Sequence, residues 1–278
     1  SDFPANGATT EPMSGFSSLH GYEGDEGMNT AGLYPDPASG YVLAAAILAA
    51  LHHRDQTGLP QRVDLSMMEA VAVLCGDALV EFGLSEKLPT PMGNRHPTHA
   101  PHGYFKCLDD EWIAIAVETS EQWLGLVSIV GDNLREPRWM SAVNRKADES
   151  ELDELLSAYC ADKDVNELER NLCDRGVIAA RVVPLFELYS HTNNPLHRSG
   201  FIQTVEHAEA GASYLPGGPW HFSESADLRL KAAPRVGEHS AEILAQELGI
   251  SPEQYQELVS AGVTGTIEEH GARKATKA

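Results

Sequence analysis

The sequence has 278 residues, of which 42% are hydrophobic and 22% charged, enough apolar material for one large domain or two smaller ones. Its formal net charge of −21 would repel a phosphate backbone over most of the surface, which excludes nucleic acid as a general partner. The four cysteines lack a disulfide or zinc spacing, and the longest apolar run, residues 41–51, is shorter than the roughly 20 residues that cross a bilayer. We therefore expect a cytoplasmic protein without a membrane segment.

The chain opens with a predicted loop and a long helix. Residues 1–35 are rich in Gly, Ser, Pro and Thr, a composition typical of loops. Asp36 and Pro37 predict the helix start, because an aspartate side chain can accept from the free amides of the first turn and proline suits the first helical position. The helix is expected to run to about Arg54 and to be buried, since its side chains are apolar nearly all round.

A strand and a second helix complete an α/β pattern. Residues 62–65 predict a short strand, and residues 67–82 carry apolar side chains at helical spacing. Ser66 and Glu69 form a predicted capping box at the start of that second helix. Residues 88–103 then turn loop-like, with four prolines and three histidines, so we place a domain boundary there.

The remaining elements continue the α/β pattern. We predict a hairpin, three helices of which the first is capped by Ser120, a strand, a turn, a second strand and two C-terminal helices. The hairpin comprises residues 104–108 and 112–117, and the three helices are residues 120–130, 148–160 and 165–175. The first strand is residues 177–183, the turn is residues 191–195 and the second strand is residues 201–205. The C-terminal helices are residues 238–248 and 252–261. The Gly-, Lys- and Ala-rich tail that follows is predicted to be disordered.

Four spaced blocks resemble the family III CoA transferases, the group that includes formyl-CoA transferase, carnitine CoA-transferase and α-methylacyl-CoA racemase. The blocks occur in family order and span residues 14–262. They read YPDPASGYVLAAAILAALHHRDQTGLPQRVDLSMMEAV, MGNRHPTHAPHGYFKC, NNPLHRSGFI and VGEHSAEILAQELG.

The resemblance implies the architecture and the partners. Residues 1–88 and 191–278 would form part of a Rossmann-like large domain, and residues 89–190 a small α/β domain. Family members begin with a nucleotide-fold half that supplies most contacts to the CoA adenine and phosphates, and this sequence starts after it. We therefore expect a partner chain that supplies the N-terminal half, in an interlocked dimer or heteromer.

Asp36 matches the position of the family's nucleophile. Acyl transfer through a carboxylate needs an ionised Asp or Glu beside the thioester carbonyl, and a helix start favours the charged form. Acyl-CoA and a carboxylic acid would be the substrates, with coenzyme A as co-substrate and no permanently bound cofactor. From spacing alone, the competing interpretation is that Asp36 is only a helix cap.

The loop after the boundary supplies the other predicted substrate contacts. By resemblance it corresponds to a glycine-rich flap over the acyl end, of which Gly93 and Asn94 remain. Arg95, His96 or His99 would bind the carboxylate of the acid substrate through charge-assisted hydrogen bonds. We expect no metal here, because loop histidines between prolines lack a fixed ligand spacing.

Two further interpretations stay open. In the racemase branch a carboxylate moves a proton at the carbon next to the thioester, and Glu118 lies near that branch's acid/base position. That branch also uses a histidine upstream of the aspartate, for which His20 is the candidate here. Tyr34, in the loop before Asp36, is predicted to line the same cleft. The third interpretation is a non-catalytic partner subunit.

Overall fold

The computed structural model describes residues 5–226 and 228–269. The chain divides into two compact units, Ser1–Val182 and Val183–Ala278. Of the C-terminal tail that was predicted to be disordered, residues 270–278 lie outside the described residues. Its first part is ordered: the Thr266 N–H donates to the Glu269 carboxylate at 2.7 Å, and residues 267–269 are helical. Among the described residues, no helix is both long and apolar enough to cross a membrane.

The first unit carries most of the helices and one antiparallel sheet. Its helices are α1 (Gly7–Met13), α2 (Pro35–Thr57), α3 (Met67–Ala72), α4 (Gly76–Ser85), α5 (Ser120–Val130), α6 (Ala142–Ala147), α7 (Glu149–Cys160) and α8 (Val165–Asp174). Its strands are β1 (His102–Lys106), β2 (Trp112–Ala116) and β3 (Ile178–Arg181), in the order β1-β2-β3.

The second unit contains a hairpin and, before residue 262, four helices in its described part. These are α9 (Leu185–Ser190), α10 (Pro195–Arg198), β4 (Ile202–His207), β5 (Gly211–Pro216), α11 (Ser240–Leu248) and α12 (Pro252–Ala261). Strand β5 was not predicted. It pairs antiparallel with β4, with Thr204 opposite Tyr214.

Helix α1 replaces part of the predicted N-terminal loop. The side-chain oxygen of Asn6 accepts from the Thr9 N–H at 3.1 Å, and the Thr9 hydroxyl accepts from the Asn6 N–H at 3.0 Å. This reciprocal cap satisfies two backbone donors at the helix start. The loop prediction was wrong there because it was based on composition and did not take into account the capping pair Asn6 and Thr9.

The start of α2 also differs from the prediction. Pro35 is the first residue of the helix, Tyr34 is the cap residue, and no side chain caps the helix. Asp36 therefore lies in the first turn and is not the cap. The predicted end is close to the observed one: Gly58 has a left-handed φ of 75°, and its N–H donates to the Arg54 carbonyl at 2.7 Å.

The prediction that α2 is buried was wrong for this chain. Only Pro35 and Ser39 of the helix are buried, although it lies against α1 and α3. Residues 62–65 likewise form no strand in the described chain and have no sheet partner there. The sequence of α2 is typical of a buried helix, and that of residues 62–65 is typical of a strand. The described residues do not cover the helix and do not supply a strand that pairs with residues 62–65.

The predicted second helix is interrupted. A 3₁₀ turn at Val73–Cys75 separates α3 from α4. The Ser66 hydroxyl accepts from the Glu69 N–H at 3.3 Å, so half of the predicted capping box is present.

The buried core lies under the sheet of the first unit. Strand β2 pairs antiparallel with both β1 and β3, and helices α5, α7 and α8 cover one face. The cluster includes Phe105, Ile113, Ile115, Trp123, Leu126, Leu156 and Leu172. The predicted hairpin and the helices that follow it are confirmed. Thr119, and not Ser120, caps α5, with Gln122 completing the box.

Candidate functional site

Asp36 is exposed in the first turn of α2. Its backbone N–H donates to the Leu33 carbonyl at 3.0 Å. The carboxylate lies against Gly7, the first residue of α1, so closely that a β-carbon on Gly7 would overlap Oδ2. The 23-residue helix directs the positive end of its dipole towards this turn.

The loop that leads into Asp36 is held by polar contacts. Glu11 of α1 is buried, and its carboxylate accepts from the N–H of Thr30 at 2.6 Å and from the Thr30 hydroxyl at 3.0 Å. The Ser17 hydroxyl donates to the side-chain oxygen of Asn29 at 2.6 Å. These bonds fix the chain a few residues before Asp36 and so limit where its side chain can lie.

Tyr34 and His20 belong to an aromatic group next to this turn. The rings of Tyr34 and Phe16 are stacked, with centroids 5.5 Å apart. His20 lies 4.4 Å from the Phe16 ring, and its Nδ1 donates to the Phe16 carbonyl at 2.9 Å. His20 therefore anchors its own loop, and Tyr34 lies two residues from Asp36.

Gly93 joins the predicted flap loop to the N-terminal segment. Its N–H donates to the Gly21 carbonyl at 2.8 Å. Its φ of 62° is left-handed, and a β-carbon there would lie 2.6 Å from Cδ1 of Tyr22. Glycine is required on both counts.

Arg95 is engaged by carboxylates of its own chain. Its guanidinium lies 3.2 Å from Asp153 and 3.5 Å from Glu149 in the α7 region, and 3.4 Å from Glu23. Burial raises the pKa of Asp153, and the nearby Arg95 opposes that rise. These contacts tie the loop to α7, so Arg95 is better suited to holding the loop than to receiving a substrate carboxylate.

His96, His99 and His102 lie together. The His96 ring is 4.5 Å from that of His99 and 5.5 Å from that of His102. Burial lowers the pKa of His96, and the two neighbouring imidazoles lower it further. His96 Nδ1 accepts from the N–H groups of Thr98 and His99 at 3.2 and 3.3 Å. In the part of the chain that the structure describes, no group of three or more His, Cys, Asp or Glu side chains is arranged to hold a metal ion.

Asn94 and the open face of the sheet complete the loop's surroundings. The Asn94 carbonyl accepts from Nδ1 of His102 at 2.6 Å. A shallow pocket of about 390 Å³ opens between the loop and the sheet face that the helices leave uncovered. Its lining includes Gly93, Asn94, Arg95, Ala114, Ala116 and Ala180.

Glu118 stands at the end of the hairpin and is exposed. Its backbone N–H donates to the side-chain oxygen of Gln122 at 2.7 Å. The position is that of a residue just before a capped helix, and its carboxylate raises the pKa of His96, against the larger effect of burial.

Comparison with known proteins decides the family. The model of the family described as CoA-transferase family III matches residues 1–240. The chain belongs to CoA-transferase family III. The resemblance stated from the four sequence blocks is thereby confirmed.

Curated relatives of this family III chain are named as CoA transferases. A formyl-CoA:oxalate CoA-transferase of Streptomyces avermitilis is 26% identical over 94% of this chain and 68% of its own length. A succinyl-CoA–L-malate CoA-transferase beta subunit of Chloroflexus aurantiacus is 26% identical over 82% of this chain and 57% of its own.

Solved structures show the same fold. A CAIB/BAIF family protein from Brucella suis superposes with a TM-score of 0.75 at 24% identity, over 86% of this chain and 61% of that one. The predicted α/β fold of the family is confirmed. The chain spans between 57% and 68% of the lengths of these three proteins.

The structure brings the predicted residues of this family III chain into two groups. Asp36 and Tyr34 lie at the start of α2, and residues 93–99 form one loop beside the sheet. In the described chain no hydrogen bond or ion pair joins Asp36 to that loop. The segment that contains Phe16 and Gly21 touches both groups, through Tyr34 and Gly93 respectively.

Sequence reasoning missed Gly7. Nothing in the local pattern distinguishes this glycine from the others of the N-terminal segment. The only usable signal was the pair Asn6 and Thr9, which predicts a helix start directly before it. Its contact with Asp36 joins positions 29 residues apart in sequence and is visible only in the folded chain.

Proposed function

We propose that this chain carries the nucleophile of a CoA transferase that moves CoA from an acyl-CoA donor to a free carboxylic acid. The observation that supports the proposal is the exposed carboxylate of Asp36 in the first turn of a long helix, inside the region that matches the family. An exposed carboxylate can attack a thioester carbonyl without first breaking a hydrogen bond or ion pair.

The proposed reaction has four balanced steps. The Asp36 carboxylate attacks the thioester carbonyl and expels the CoA thiolate, which leaves a mixed anhydride. The thiolate attacks the aspartyl carbonyl, releases the donor acid and forms an aspartyl-CoA thioester. The acceptor carboxylate then displaces the thiolate to give a second anhydride. Attack of the thiolate on the acyl carbonyl releases the new acyl-CoA and restores Asp36.

For the acid substrate we propose the loop of residues 93–99 as the binding element. His96 and His99 present imidazoles there, and Gly93 and Asn94 line the adjoining pocket. Arg95 contributes by fixing the loop to α7 through its ion pairs. The relatives named for oxalate, malate and formyl- or succinyl-CoA support small carboxylic acids as the substrate class.

We also propose that a partner chain completes the enzyme, in a dimer or heteromer. The chain spans only part of the length of its relatives, one of which is named as a beta subunit. Apolar side chains of α2 and α4 are exposed in this chain, in a pattern typical of a protein interface. They include Tyr41, Val42, Ile47, Leu48, Leu79, Val80 and Leu84. The cytoplasmic location stays a prediction.

The racemase alternative has less support. His20, its candidate upstream base, donates to the Phe16 carbonyl. Glu118, which is exposed near the end of the hairpin, stays a predicted acid/base residue.

Mass spectrometry of the native assembly tests the proposal. After incubation with succinyl-CoA or formyl-CoA, the wild type should carry a hydroxylamine-sensitive adduct on Asp36 and should exchange CoA between acids. Asp36→Asn should lose both. Asp55→Asn, which changes an exposed aspartate at the other end of α2, is the matched control and should retain both. CoA exchange by Asp36→Asn at the wild-type rate would refute the nucleophile assignment.

A further inference from the structure

We infer that Gly7 is a positioning residue for Asp36, because the side chain it lacks would occupy the space that the carboxylate fills. A β-carbon built on Gly7 overlaps Oδ2 of Asp36 and lies 3.1 Å from its Cγ. Gly7 is buried, whereas Asp36 is exposed on its other side. The backbone of α1 thus forms one wall against the carboxylate. This inference rests on the proposed role of Asp36 as nucleophile.

The backbone of α1 does not itself require glycine at this position. Gly7 is the first residue of a helix, and its φ is not among the positive values of the chain. Alanine is the better helix former at ordinary helical dihedrals, because glycine loses more conformational freedom on folding. The contact with Asp36 therefore accounts for a glycine that local structure would replace by alanine.

The atom that an added methyl group meets decides what would move. At Gly7 that atom is the end of the Asp36 side chain, which can rotate about two bonds. At Gly27 the corresponding atoms are the backbone carbonyl of Ser17, at 2.5 Å, and the Cα of Ser18. Substitution of Gly27 would disturb the fold, whereas substitution of Gly7 should displace the carboxylate and leave the fold in place. Leu33, with its Cβ 3.1 Å away, must also yield by a few tenths of an ångström, and the melting temperature of the variant measures the cost of that shift.

A displaced carboxylate should slow chemistry more than it weakens substrate binding. A shift of about 1 Å in a reacting group costs roughly 100-fold in rate. We expect Gly7→Ala to lower kcat for CoA exchange by about 100-fold, with the KM for the acyl-CoA little changed. A purely structural role for Gly7 would instead lower the melting temperature and affect both kinetic constants together.

Gly76 provides the matched control. It is also the first residue of a helix, α4, and no atom lies within 4 Å of a β-carbon built on it. Gly76→Ala should therefore leave kcat, KM and the position of Asp36 unchanged.

The experiment compares the wild type, Gly7→Ala and Gly76→Ala in the native assembly. Steady-state kinetics, the rate of adduct formation on Asp36 and the melting temperature are measured for each, and crystal structures give the side-chain torsions of Asp36. Slow adduct formation with an unchanged melting temperature and a rotated Asp36 carboxylate would support the inference. An Asp36 carboxylate that keeps its position in Gly7→Ala, or a full rate, would overturn it.

Adduct formation on Asp36 separates this inference from the proposed function. If the wild type forms no adduct, the nucleophile assignment fails, and the catalytic role of Gly7 fails with it. If the wild type forms the adduct and Gly7→Ala forms it equally fast, only the inference about Gly7 fails.

Discussion

Two regions of the first unit differ in the exposure of their apolar side chains. The sheet with helices α5, α7 and α8 buries its leucines, and Leu126 of α5 is 0% exposed. Helix α2 also carries a long apolar run, residues 41–51, yet its Leu48 is 66% exposed. Both helices follow loops and both carry apolar residues through several turns. The difference lies in what covers them.

Apolar character therefore predicts burial only where the chain supplies a covering surface. In the sheet region, three strands and several helices pack against one another within the chain. The burial of their apolar side chains stabilises the fold. The described residues do not cover the apolar side chains of α2, so this stabilising free energy is not gained there. The candidate nucleophile stands at the start of the uncovered helix, so completion of the site and completion of the core are expected to occur together.

The largest expected effect is on the covered side of the comparison. Leu126→Ala should lower the free energy of unfolding by about 2–5 kcal/mol, because it removes a fully buried side chain and leaves a cavity. Urea denaturation measures this value. Leu124→Ala, in the same helix but 53% exposed, is the control and should change it by less than about 0.5 kcal/mol. Equal losses for the two variants would contradict the assigned core.

A smaller effect is expected on the uncovered side. Leu48→Ala should change the unfolding free energy of this chain alone by less than about 0.5 kcal/mol. It should weaken association with the completing chain by about 2 kcal/mol, the value for one leucine that becomes buried. Titration calorimetry or native mass spectrometry measures the association, with Leu124→Ala as the control. An unchanged affinity would remove α2 from the proposed interface.

The ion pairs that tie the loop of residues 93–99 to α7 should have a smaller effect still. Arg95→Gln removes the ion pairs with Asp153 and Glu149 and should cost about 1 kcal/mol of stability, since the pairs are only partly shielded from solvent. Arg54→Gln, which removes the exposed pair with Asp55, should cost less than about 0.5 kcal/mol. Urea denaturation at low and high salt compares them. If both variants lose the same amount, Arg95 does not hold the loop.

The smallest effect concerns pH. The pKa of His96 is lowered in the folded chain by burial and by His99 and His102, so the unfolded chain binds the proton more readily. The stability contributed by neutral His96 is therefore present above about pH 6.5, the ordinary value, and is lost as the pH falls below it. Melting temperatures between pH 7.5 and 5.5 should show a shallower decline for His96→Gln than for the wild type. Identical slopes would contradict the lowered pKa.

Local patterns in the sequence predicted much of the covered region. The hairpin at β1 and β2, the acidic helices α7 and α8 and the C-terminal helices follow from alternation, helical spacing and capping residues, which act over a few positions. The same reasoning placed Asp36 at a helix start but made it the cap, because it could not tell that Pro35 takes the first helical position. It also gave Ser120 the cap that belongs to Thr119.

Blocks of neighbouring residues were enough to predict the family, the α/β pattern and the candidate nucleophile. Four features appear only in the folded chain: the exposed surface of α2, the absence of a sheet partner for residues 62–65 in the described chain, the ion pairs of Arg95 with α7 and the contact of Gly7 with Asp36. The physical reason is common to all four. All of them depend on contacts between residues that are distant in the sequence: burial, strand pairing, ion pairs and close backbone approach. Local residue spacing does not predict such contacts.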